Sequence, residues 1–177
     1  MQAHRRPRRL RHLGVSIALV LTVGLMAAPT TAAAGADVYG VGAGSQDFGT
    51  GTKIVKFAFS GHDGPSGDFG SLRYTIEDPT FPLDIHVDLD CVNVFANPPG
   101  AGGWLGGQVK KVTPFPNASG ISRGDELVFG INDYGNPSDL LPDEINGFFG
   151  SPQVCEVLGP SAHPPISQGN INIKLAP

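Results

Sequence analysis

Residues 53–177 predict an all-β fold, a single antiparallel β-sandwich or small β-barrel of about seven or eight strands with one disulfide. Three observations carry this. Apolar side chains recur at every second residue over several segments, which is the period of a strand with one buried face. The 177 residues include 25 Gly and 16 Pro, which punctuate those segments with turns. No segment keeps an apolar face at the helical period over two turns.

The elements follow in order. Val55, Phe57 and Phe59 alternate with Lys56 and Ala58, and Leu72, Tyr74 and Ile76 alternate with Arg73, Thr75 and Glu77. Leu83, Ile85, Val87, Leu89 and Cys91 then alternate with Asp84, His86, Asp88 and Asp90, so Cys91 is expected to point inward. After Cys91 the apolar phase moves to Val92 and Val94, the signature of a bulge or of a strand buried on both faces. Further strands are expected at Leu105–Val109, Leu127–Ile131, Val154–Val157 and Ile171–Leu175. The Gly- and Pro-rich intervals between them read as turns, and the block from Asn132 to Gly150 has room for a short helical turn near Leu140–Leu141 that Pro142 limits. Short strands with one apolar face must close on one another to bury it.

Residues 1–36 read as a secretory signal peptide. Arg5, Arg6, Arg8, Arg9 and Arg11 precede an apolar run from Leu13 to Ala28, and small residues follow up to Ala36. Residues 37–52, rich in Gly and poor in large apolar side chains, read as a flexible lead-in. The whole chain has a formal charge of −4, but all five of those arginines lie in the signal, which has no acid. The exported part is strongly acidic, which excludes nucleic acid as a natural partner and suits an extracellular protein. Signal cleavage leaves no apolar run long enough to span a bilayer. Cys91 and Cys155 are the only cysteines. In an exported chain they read as one structural disulfide, and without a CxxC spacing they give no redox or zinc motif.

Three stretches carry a resemblance: "IHVDLDCVNVFANPPGAGGWLGGQVKKV", "FGINDYGNPSDLLPDEI" and "PISQGNINIKL". Over roughly residues 54–175 the chain resembles a group of small exported bacterial all-β proteins of uncharacterised function. It departs from their pattern at Tyr134, where they carry Asn. The resemblance implies a secreted all-β domain and brings no catalytic or ligand residues with it.

Candidate sites come from residue chemistry. Asp84, His86, Asp88 and Asp90 share one strand face, and Asp84 and Asp88 are candidate metal ligands. The same alternation also serves to keep an outer strand face solvated. The acidic loop offers Asp133, Asn136, Asp139, Asp143 and Glu144 as oxygen donors of the kind that hold Ca²⁺, although these residue types also build turns. Trp104 and Tyr134 are candidate stacking platforms for a glycan, with a core position the favoured reading of Trp104. Asn117-Ala118-Ser119 is a glycosylation sequon. No nucleophile elbow, S-x-x-K or H-E-x-x-H motif is present, and no catalytic residue is assigned. The expectation is a secreted, non-catalytic extracellular protein that binds a glycan or protein, or serves a structural role. The alternatives are a Ca²⁺- or carbohydrate-binding module and, after that, a hydrolase built on His62 or on paired carboxylates.

Overall fold

The computed structural model describes residues 38–48, 53–135, 141–149 and 155–176. The expected signal peptide, Asn136, Asp139, Leu140 and Val154 lie outside the described residues. The protein is all-β. Eight strands follow one another: β1 (Val38–Asp47), β2 (Ile54–Asp63), β3 (Phe69–Glu77), β4 (Leu83–Asn97), β5 (Gly100–Thr113), β6 (Glu126–Asp133), β7 (Glu144–Phe149) and β8 (Gln168–Lys174). All pairings are antiparallel, in the order β7-β6-β5-β4-β3-β2-β1-β8. The sheet curls into a nearly closed barrel, which decides between the sandwich and the barrel.

The alternation read from the sequence fills its interior. Val55, Phe57 and Phe59 of β2 meet Leu72 and Tyr74 of β3, Ile85, Val87 and Leu89 of β4, and Leu105, Phe129 and Ile131 beyond them, all buried. Burial pushes the Tyr74 phenol up to about 12. The opposite faces of β2, β3 and β4 carry Lys56, Arg73, Glu77, Asp84 and Asp88, so over these strands the barrel is apolar inside and polar outside. That is the reverse of a membrane barrel.

The phase change near Cys91 is a bulge. Leu89 pairs with Gly107 and Cys91 with Gly106, leaving Asp90 unpaired as the extra residue. Its consequence differs from the simple alternation. Cys91 is carried out of the main core and into a second apolar cluster with Trp104, Val128 and Cys155, while Val92 takes the inward position. The cluster is roofed by residues 155–163 and held by the Cys91–Cys155 disulfide, with Cα atoms 6.3 Å apart.

Three other expectations are corrected. Residues 38–47 of the expected lead-in form β1, a strand in the interior of the sheet between β2 and β8. Its inward side is glycine because the neighbours are large: a Cβ on Gly42 would stand 2.6 Å from the Phe59 ring. The strand expected at Val154–Val157 is instead a turn over Cys155–Val157, and the block treated as loop supplies β7.

The seam between β6–β7 and β8 is closed by side chains in place of a continuous strand ladder. Asp133 Oδ2 accepts the Ile173 N–H at 2.7 Å, and Asp143 Oδ2 accepts the Ile171 N–H at 2.6 Å. The buried Gln46 of β1 adds a tie, its amide nitrogen donating to the carbonyls of Ile145 and Pro164. Carboxylates that bond to N–H groups of an otherwise bare strand edge do the work of a missing ladder.

Candidate functional site

Asp133, Asp143 and Glu144 converge at the seam. Asp133 Oδ1 accepts the Gly135 N–H at 2.9 Å, and Asp143 Oδ1 accepts the Tyr134 N–H at 3.0 Å. Burial, with the nearby Asp133 charge, raises the Asp143 carboxyl above its ordinary value, against the two N–H bonds that lower it. Glu144 Oε2 accepts the Asn132 side-chain N–H and the His163 backbone N–H, both at 2.8 Å. A cation here would compete with bonds that close the barrel. Tyr134 is half-buried with its hydroxyl 3.4 Å from Glu144 Oε2, and burial raises its phenol.

Asp84 and Asp88 stay on the outer face of β4. Asp84 receives a two-pronged Arg73 guanidinium at 2.9 and 3.0 Å and the Thr75 hydroxyl at 3.1 Å. The Arg73 bond holds its carboxyl below the ordinary value. Asp88 lies 3.7 Å from the Lys110 ammonium and His86 lies 3.8 Å from Asp84, so this face is a cross-strand charge lattice. Among the described residues, no three carboxylate, histidine or cysteine side chains are grouped as a metal site.

Trp104 is 3% exposed, so its faces are not available to a ligand. The reason is local. Its Nε1–H donates to the Gly159 carbonyl at 2.9 Å, and the His163 ring meets it edge-on at 5.1 Å. Gly130 makes the seat, since a Cβ there would stand 2.1 Å from His163 Nε2. Burial lowers the His163 imidazole below its ordinary value. The Asn117 side chain of the sequon brackets Ile121, donating to its carbonyl and accepting its N–H.

The surface with room for a ligand lies elsewhere, on the outer face of β8, β1, β2 and β3. Cross-strand register aligns Lys174, Tyr39, His62 and Phe69 in one row. His62 stacks on Phe69 with ring centres 4.9 Å apart and planes 8° from parallel. Tyr39 lies 5.8 Å from His62, and the Lys174 ammonium sits over the Tyr39 ring at 5.8 Å. Phe69 is 56% exposed, an unusual position for a phenylalanine on a strand.

Beside this aromatic row the side chains become small. Val41, Ala43, Ala58, Ser60 and Ser71 floor a shallow depression of about 590 Å³, with Arg73, Asn170 and Asn172 at its margins. Ala58 and Arg73 also border a second hollow of about 270 Å³ lined by Lys56, Thr75 and Glu77, so the two adjoin. The surface therefore offers one aromatic wall, a low floor, and fixed hydroxyl, amide and guanidinium groups. Arg73 is oriented in advance by Asp84.

Sequence reasoning missed this face because half of it belongs to β1, whose glycines hide its alternation. The outward residues Tyr39, Val41 and Ala43 do recur with period two, and His62 and Phe69 stand opposite one another across the β2–β3 turn. No protein-family model, no curated protein and no solved structure matches the chain.

Proposed function

We propose that this protein is an exported, non-catalytic binding module that takes a neutral, extended glycan across the outer face of β8, β1, β2 and β3. The observation that carries the reading is the stacked Tyr39–His62–Phe69 row bordering a small-residue depression with polar margins. Sugar rings have apolar C–H faces and polar edges. An exposed aromatic surface packs on the former, while planar amides, hydroxyls and a guanidinium satisfy the latter. The acidic charge of the exported chain favours an uncharged ligand over an anionic one. The open shape fits a chain running over the surface rather than a small molecule enclosed in a cavity. Export is supported by the arginine-led apolar signal and by the Cys91–Cys155 bond, which persists in oxidising compartments.

Affinity electrophoresis in gels containing soluble neutral polysaccharides tests the reading. The parent protein should be retarded by at least one of them, and Phe69→Ala and Tyr39→Ala should each weaken retention about tenfold, for loss of one aromatic contact. Retention unchanged in both variants, or no retention of the parent by any polysaccharide, would overturn it.

A further inference from the structure

The two ends of the barrel differ chiefly in charge, since the end that carries Asp63, Asp68 and Glu156 also exposes Phe69, Leu141 and Val157. In an antiparallel meander the β1–β2, β3–β4 and β5–β6 loops emerge at the same end, and each presents one phenylalanine to solvent. Phe48 is 42% exposed, Phe81 53% and Phe115 68%. These loops follow one another around the rim, each separated from the next by two strands, or about 10 Å. The phenylalanines are not leftovers of the core, because that end is already covered from inside by the buried Ile121 of the β5–β6 loop. Two of the three are stiffly held. Phe81 precedes Pro82, and Phe115 stands between Pro114 and Pro116, so their backbones have little freedom left to lose on binding.

Charge divides more sharply. At the phenylalanine end Lys53, Lys56, Lys110, Lys111 and Arg123 nearly offset Asp47, Glu77, Asp78, Asp84, Asp125 and Glu126, with Lys56 pairing with Glu77 at 2.6 Å and Lys110 3.7 Å from Asp88. The opposite end gathers Asp63, Asp68, Asp133, Asp143, Glu144 and Glu156, with Lys174 the one cation there among the described residues. Burial and the neighbouring acids raise the Asp68 carboxyl there. A nearly neutral rim that exposes three phenylalanines matches the interface of a zwitterionic bilayer better than the acidic end does. Rings enter among the acyl chains and ammonium groups reach the phosphates, while the acidic end faces water.

We propose that the Phe48–Phe81–Phe115 rim is a docking surface for a phosphatidylcholine-like lipid bilayer, leaving the glycan face at the side of the barrel free. The oxidised protein, mixed with phosphatidylcholine vesicles and floated on a density gradient, should rise with them. Phe115→Ser should lower the bound fraction several-fold, and Phe81→Ser with Phe115→Ser by about a hundredfold, roughly tenfold for each ring withheld from the bilayer. These side chains are solvent-exposed, so an unfolding scan should show both variants still cooperative, and Phe115→Ser by itself suffices if the double variant does not fold. Phe69→Ala, which removes the glycan wall, should float like the parent, so this surface and the glycan face fail independently. A parent that stays in the aqueous fraction would overturn the proposal, as would variants that float equally well. Sedimentation showing a dimer that the double variant loses, with no flotation of the parent, would assign the rim to a second copy of the chain and would also overturn it.

Discussion

At the residue scale, the second cluster is organised by a glycine and a histidine. Gly130 leaves the gap that His163 fills, and His163 in turn packs on Trp104. Gly130→Ala has nowhere to put its methyl group, because the obstacles are a ring and a fully packed indole. The expected result is destabilisation by about 1–3 kcal/mol, as for other overpacked sites, together with a shifted Trp104 emission spectrum. His163 also gives stability a pH dependence. Its imidazole binds a proton less readily in the folded protein than in the unfolded chain, where it titrates near 6.5. The unfolded state therefore gains protons first as the solution is acidified. The stability that the neutral ring contributes is full above pH 6.5 and declines as pH falls through 6.5 towards the lower folded value. Unfolding midpoints measured from pH 7.5 down to 5.5 should fall for the parent and fall less for His163→Gln. Equal slopes would remove His163 from the account.

At the scale of elements, the disulfide joins β4 to the segment that roofs it. Its loop closes over a sequence separation of 64 residues, for which chain entropy gives about 4 kcal/mol of stabilisation. Reduction should lower the urea midpoint accordingly and should free residues 155–163 to proteolysis before the barrel itself is cut. This scale also shows how far the sequence could be read. The strands β2, β3, β4, β6 and β8 were legible because each buries branched or aromatic residues at alternate positions, and even the bulge at Asp90 left a visible trace in the shift from Cys91 to Val92. β1 was not legible, because its buried positions are occupied by absence: Gly42 is small so that Phe59 can be large. That relation is between strands, and no window along one strand contains it. β7 was obscured by the polar and turn-forming residues ahead of it, and Asp143 and Glu144 looked like ligands because their backbone partners, Ile171 and His163, are distant in sequence. The candidate glycan face suffered most, being divided among four strands of which one was unseen.

At the scale of the whole molecule, the barrel depends on two carboxylates to complete its circumference. Asp143→Asn keeps the size of the side chain but turns an N–H₂ towards one of two backbone donors, those of Tyr134 and Ile171. A loss of about 1–3 kcal/mol is expected from the donor left without an acceptor. Asp133→Asn acts on Ile173 in the same manner. Native-state hydrogen exchange should show the Ile171 and Ile173 amides exchanging faster in the double variant, with the β3–β4 amides little changed relative to global stability. A uniform change across the sheet would mean that the seam has no separate opening. The pairing of β1 with β8 has a further consequence, and it is one of timing. The first strand of the barrel lies beside the last, with Tyr39 opposite Lys174, so β1 can form its hairpin with β2 early yet must wait for the final residues of the domain before its other edge is covered. Long-range pairings of this kind form late and slowly. While the chain is still emerging, β1 presents an open edge for as long as β8 has not arrived, and the interval between them is when the protein is most exposed to proteases and to wrong partners.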